Sequence, residues 1–291
     1  MKLFRLAATE KASPGAIASM LLYLGSLIYT VCFGLRFGSV SGYTATMLFT
    51  VGLGVIPLLV SLALRYDLRS VFRLSLPGPY AVIGGFFISI GLFIAVFFGS
   101  SMLVLFFPKL VETGAPLQEV MLTGNFPVAL LAVAILPALC EEILFRGFIL
   151  SGLKSATGKW TAIVLCGVLF GFLHLQPVQV PFTIIIGIGL SFVAYETGSL
   201  LVPILMHCAH NLLLLLIVRN AASGPTIESR ASLNAIKDVF ALGPAAIGAF
   251  FVSLFVFACV LLGVSAGFVY AGMRMVRKTV RYRGTDAPIG Q

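Results

Sequence analysis

The sequence predicts an all-α fold, a polytopic membrane helix bundle with about eight transmembrane helices, and three observations predict it. Hydrophobic residues make up 59% of the chain and charged residues only 10%, against roughly 25% charged in a soluble domain. Mean hydropathy is +1.09. Apolar runs of about 20 residues, the length that crosses a ~30 Å hydrocarbon layer, recur along the whole chain with mostly short polar interruptions.

The eight segments run near 15–35, 41–64, 80–107, 127–150, 160–175, 179–197, 199–218 and 244–273. Lys2 and Arg5 precede the first, but Glu10 and Lys11 intervene and no small-residue cleavage site follows. It reads as an uncleaved helix, not a signal peptide. The fifth to seventh are short and closely spaced, with a turn around Ser155-Ala-Thr-Gly158 joining the fourth to the fifth. Two longer polar stretches stand out. Residues 108–126 read as an interfacial helix, and 219–243 as a connector or lid. The chain divides into N-terminal helices and an interfacial segment (1–124), a central core (125–220), and a connector, last helix and basic tail (221–291).

The net charge of +9 is not a nucleic-acid footprint, because the basic residues sit in short loops and tails. Lys2, Arg5, Lys11, Arg65, Arg69, Arg73, Lys154, Lys159, Arg274, Arg277, Lys278, Arg281 and Arg283 fall on one side. Only Arg36, Lys109, Arg219, Arg230 and Lys237 fall on the other. The positive-inside rule then puts both termini in the cytoplasm of a multi-pass cell-membrane protein. The run from Arg274 to Arg283 reads as a stop-transfer flank resting on anionic headgroups. Cys32, Cys140, Cys166, Cys208 and Cys259 all lie within spans without paired spacing, so they are packing thiols, not a disulfide framework or zinc motif. Gly167-x-x-x-Gly171 and Gly263-x-x-x-Gly267 are small-residue pairs that let membrane helices approach closely.

Ionisable groups inside these spans need a reason, since each costs ~2.5–3.5 kcal/mol at membrane depth even on lenient scales. Glu141, Glu142 and Arg146 share one span, and His174, His207 and His210 lie in others. Successive helical residues point ~100° apart, so the two carboxylates divide their labour. Glu142 and Arg146, four apart, suit an ion pair that braces the helix, and Glu141 is left as the reactive carboxylate. With the turn centred near residue 156, Glu141 lies 15 residues before it and His174 lies 18 after it. On antiparallel neighbours the two reach similar heights and can share one water molecule.

His207 and Asn211, also four apart, project an imidazole and an amide together, a pair suited to an oxyanion. His210 is a supporting or packing residue. Two chemistries compete: zinc held by Glu141, His174 and His207 with an open position, or direct water activation by Glu141 and His174. Asn211 is a poor zinc ligand and a good oxyanion donor, which favours the metal-free version, so no cofactor is assigned. A thiol mechanism through Cys140 or Cys208 is disfavoured, because each neighbours a motif residue and points away from the site.

Glu141-Glu142-x-x-x-Arg146, Phe170-x-x-x-His174 and His207-x-x-x-Asn211, in that order on successive helices, resemble the motifs of the CPBP intramembrane proteases. That family includes the CAAX prenyl endopeptidases of the Ras-converting type and bacterial proteins of bacteriocin processing or self-immunity. The run Gly198-Ser-Leu-Leu-Val-Pro-Ile-Leu-Met before His207 is similar to the family's third motif region. The resemblance covers roughly 125–220. It implies an eight-helix type of bundle and hydrolysis of peptide bonds in membrane-associated substrates, prenylated CAAX-type or leader peptides. It also implies Glu141 and His174 as water activators, His207 and Asn211 as oxyanion site, and Glu142 and Arg146 as support. The expected partners are the lipid bilayer and a peptide or protein substrate. A non-catalytic immunity or interaction protein on the same fold is the alternative from another class. A proton-coupled transporter is a third reading, weakened by the lack of repeated halves with broken helices.

Overall fold

The computed structural model describes residues 13–37, 42–106, 120–223, 241 and 243–285. The helices are α1 (Ala16–Phe37), α2 (Tyr43–Ala63), the short α3 (Leu68–Phe72), α4 (Pro79–Phe106), α5 (Phe126–Ala156), α6 (Lys159–Leu173), α7 (Val180–Thr197), α8 (Leu201–Ser223) and α9 (Pro244–Thr285). Seven of them, among the described residues, are long and apolar enough to cross a membrane. The chain is a multi-pass, all-α membrane bundle.

The expected fifth span is corrected by its length. α6 has 15 residues and rises only ~22 Å, short of the ~30 Å hydrocarbon thickness. α6 and α7 instead form a hairpin whose turn, at 174–179, borders the cavity. Leu175 turns the chain there in a left-handed conformation (φ 54°). Irregular backbone at membrane depth is tolerated where it lines a protein cavity, and His174, Val178 and Gln179 do so. The hairpin closes tightly because its contact faces are glycine. A Cβ on Gly167 would lie 2.5 Å from the Ile188 nitrogen, and one on Gly187 would lie 2.9 Å from the Gly167 oxygen.

α5 occupies the centre and is not a regular α-helix. Two π-helical stretches, Leu131–Ile135 and Ile143–Ile149, flank the α-helical turn Leu136–Glu142 that carries both glutamates. Pro137 supplies a cause for the first, because it has no N–H to give to the carbonyl one turn back. Wide turns of this kind recur at functional sites. Asn125 caps the start of α5 by accepting from the Val128 amide at 3.0 Å. Around the second wide stretch, Phe145, Phe148 and Phe170 are fully buried with Leu144, Ile149 and Leu150. A second apolar cluster ties α4, α7, α8 and α9 through Ile88, Leu190, Val202 and Val276.

Three sequence expectations change. α8 continues helically to Ser223, so Arg219 belongs to its last turns, not to a connector, and residues 224–240 lie outside the described residues. Most of the expected interfacial helix, 108–119 of 108–126, also lies outside them. α9 runs unbroken to Thr285, so the basic residues from Arg274 onward extend a helix. The pair Gly263 and Gly267 meets nothing within 4 Å. The close α4–α9 contact uses other glycines: a Cβ on Gly84 would lie 2.7 Å from the Gly272 oxygen, and one on Gly91 would lie 2.6 Å from the Ser265 oxygen. Ser265 Oγ donates to the Gly91 oxygen at 2.8 Å.

Gly84→Leu or Gly272→Leu is therefore expected to destabilise the bundle by about 1–3 kcal/mol through overpacking, read as a lower midpoint of thermal unfolding in detergent. Gly263→Leu and Gly267→Leu should leave that midpoint unchanged. Equal effects at both pairs would contradict the assigned contact.

Candidate functional site

Glu141 is the central residue of α5, 15 positions from either end of Phe126–Ala156, ~22 Å along the axis in each direction. Its carboxylate opens into a cavity of about 400 Å³. Glu141 (α5), His174 (end of α6), and His207, His210 and Asn211 (α8) all line this cavity. The remaining wall is largely apolar, with Phe49 from α2, Phe93 and Phe97 from α4, and Phe182 from α7. Glu142 and Arg146 lie behind the wall, their side chains fully buried.

The buried support has a definite wiring. Arg146 Nη1 donates to Glu142 Oε1 at 2.7 Å, Nη2 to the Gly187 carbonyl at 2.8 Å and Nε to Ser191 Oγ at 3.3 Å. The guanidinium also stacks 4.5 Å from the Phe170 ring centre. A buried guanidinium so surrounded is a fixed charge. The same Glu142 Oε1 lies 2.9 Å from His207 Nδ1. The ion-paired carboxylate can only accept, so Nδ1 carries a proton and donates it. This bond was not expected from sequence, where Glu142 had one partner. It turns His207 Nε2 toward Glu141 Oε2, 3.9 Å away, beyond direct hydrogen-bond reach.

His174 is fixed locally. Its Nδ1 lies 2.9 Å from the Phe170 carbonyl, an acceptor, so Nδ1–H donates and Nε2 is left as an acceptor. The Phe170 ring meets both imidazoles edge-on, at 5.0 Å from His174 and 5.8 Å from His207. His210, set aside in the sequence as packing or support, lines the cavity and meets Phe93 edge-on at 5.1 Å. Cys140 packs against α2, where a Cβ on Gly54 would lie 2.8 Å from its sulfur, so this thiol faces away from the cavity.

Gly187, Ser191 and the Phe170 ring were missed from sequence as site components. Gly187 and Ser191 are four apart on one face of α7, a small, polar stripe in an apolar helix. That stripe was the available signal. As for metal, among the described residues no three His, Cys, Asp or Glu side chains converge as a ligand shell. His207 Nε2 stands 3.9 Å from Glu141 Oε2, and the Nδ1 atoms of His174 and His207 are bonded away from the cavity.

Fold and site together define a polytopic membrane protein with a half-open, largely apolar cavity that carries a cluster of polar side chains. Residues 123–213 match the family model for type II CAAX prenyl endopeptidase Rce1-like proteins. That stretch holds α5, α6, α7 and every polar cavity residue of α8 named above. No curated protein and no solved structure matches the chain.

Removing one member of the buried brace leaves an uncompensated charge. Glu142→Ala is expected to destabilise the protein by about 3–5 kcal/mol in thermal unfolding. The double variant Glu142→Leu/Arg146→Met should lose markedly less than Glu142→Ala alone. A double variant at least as unstable as the single one would contradict the brace.

Proposed function

We propose that the protein is an intramembrane endopeptidase that hydrolyses peptide bonds of membrane-associated substrates by a glutamate-dependent route. The observation that carries this reading is the meeting of Glu141, His174, His207 and Asn211, from three helices, on one cavity wall. The family of residues 123–213 supports a protease in general. In this route Glu141 takes a proton from water while His174 Nε2 accepts the second hydrogen of the same water and aims its lone pair. The hydroxide attacks the scissile carbonyl carbon. The Asn211 amide and His207 donate to the developing oxyanion, with His207 carrying both ring protons, one to Glu142 and one to the substrate oxygen. Glu141 then returns its proton to the leaving amine nitrogen as the C–N bond breaks.

The roles fit the burial of each group. Donors fixed in a low-dielectric site stabilise developing charge without reorganising. The cavity's apolar lining suits a substrate that arrives from lipid, and prenylated CAAX-type and leader peptides are the classes the family suggests.

The test uses the full-length protein in proteoliposomes with a farnesylated CAAX-type peptide and a membrane-tethered leader peptide as probes. Glu141→Gln and His174→Ala should each lower cleavage by about 10²–10⁴-fold, and Asn211→Ala by about 10²–10³-fold, with unfolding midpoints unchanged. Undiminished cleavage in both Glu141→Gln and His174→Ala would overturn the proposal. Cleavage of neither probe by the wild type, with harmless Glu141 substitutions in a protection assay, would favour a non-catalytic role on the same fold.

A further inference from the structure

We infer that the end of the bundle opposite the α6–α7 turn carries a binding site for the phosphate headgroup of an anionic lipid, centred on Arg73, Lys154 and Tyr195. Four cations converge there from four elements. Lys154 Nζ, near the end of α5, sits 4.0 Å from the Tyr195 ring centre, and Lys159 Nζ, at the start of α6, sits 5.7 Å from it. Arg73, just after α3, reaches α5 three residues before Lys154, where its Nη2 donates to Ser151 Oγ at 2.6 Å. Arg277 from α9 lies 5.8 Å from the Phe192 ring centre.

One carboxylate serves this group, and it is already engaged. Glu196 pairs with Lys159 at 2.5 Å and with Arg277 at 3.8 Å. Among the described residues neither Arg73 nor Lys154 has a carboxylate within 4.0 Å, and Lys154 feels the shared Glu196 only from beyond that distance. Arg73 donates to neutral acceptors only, Ser151 Oγ at 2.6 Å and the Ser70 carbonyl at 3.1 Å. Both cations are half-buried. Half-buried like charges that outnumber their carboxylates are a standing electrostatic cost that a bound anion relieves.

The local backbone strengthens the case. Arg73 adopts a left-handed conformation, φ 38° and ψ 56°, which favours glycine or asparagine. Its carbonyl accepts from the Leu200 amide at 3.1 Å, and this bond holds the strained turn against the start of α8. A long cationic side chain kept at such a position is more readily explained by what its guanidinium does than by the turn itself.

The place in the fold points to a lipid, not to a free anion. The chain's single tryptophan, Trp160, is 53% exposed beside this cluster and stacks 6.0 Å from Phe192. Exposed tryptophan marks headgroup level in membrane proteins. The helix ends at Ala156, Lys159 and Thr197 lie at the same level. Lysine and arginine stems reaching from apolar helix ends to that layer are the expected geometry for phosphate contact.

Trp160 also supplies the probe, since Lys159 Nζ lies 5.7 Å from its ring centre. The full-length protein in neutral detergent would be titrated with short-chain phosphatidylglycerol, short-chain phosphatidylcholine and inorganic phosphate while tryptophan emission is followed. Phosphatidylglycerol should give a saturable change that phosphatidylcholine does not. Lys154→Gln should weaken it by about fivefold, and Lys154→Gln/Lys159→Gln further. Arg73→Gln should act in the same direction where it folds, and Glu196→Gln should strengthen binding by removing the competing carboxylate. Equal response to phosphatidylcholine, or a response unmoved in both lysine variants, would overturn the site. Saturation by inorganic phosphate at the same concentration would overturn the lipid assignment. The site lies away from Glu141, so Glu141→Gln should leave the titration unchanged.

Discussion

The arrangement depends on one buried charge pair. Arg146 and Glu142 sit in the middle of an apolar helix, with neither side chain exposed, and such a pair persists only with further hydrogen bonds around it. The surrounding structure supplies the partners. α7 brings a carbonyl and a hydroxyl, Gly187 and Ser191, to the guanidinium, and α8 brings the His207 ring to the carboxylate. Three helices are thereby tied at one depth by polar bonds in a medium where apolar contact alone orients helices poorly. The glycine-lined α6–α7 hairpin follows from the same need. Gly187 must lie close to α6 and still present its oxygen to Arg146.

The brace also explains why two adjacent acids behave differently. They point in different directions on a helical turn, one into the support and one into the cavity. The wide turns on both sides of Leu136–Glu142 let α5 pack against several neighbours without rotating that turn away from either. Glu141 and Glu142 each keep one buried oxygen without a hydrogen-bond partner among the described residues, and of the two only Glu141 lines the cavity. At the wet end of the bundle, charge is handled in the opposite way. The cations there outnumber the carboxylates, and the headgroup layer supplies the balance.

The fold was largely legible in the sequence, because hydropathy reports span length directly and most residues in a span meet lipid or protein. What hydropathy does not report is how far a short helix penetrates, so α6 was read as a span although it ends at the cavity. Glu142 and Arg146 could be paired from spacing alone, since four residues on one helix fix a face. The common height of Glu141 and His174 followed from counting out from the turn, which the structure places at Thr157 and Gly158. The His207–Glu142 bond could not be counted in this way. It depends on how α8 is rotated about its own axis, and that is set by contacts with α4, α5 and α7 together. The same holds for Gly84 and Gly272: their packing is legible only when both helices are seen, whereas Gly263 and Gly267 carry the expected motif and face away from the bundle.

The central claim is that Glu142, held by Arg146, sets the orientation of His207 beside Glu141. The most direct measurement is a double-mutant cycle between Glu142→Gln and His207→Ala, read in unfolding free energy and in cleavage rate with the same membrane-tethered substrate. The account predicts strong coupling, with the double variant losing less than the sum of the singles by about 0.5–3 kcal/mol. Simple additivity in both readouts would contradict it.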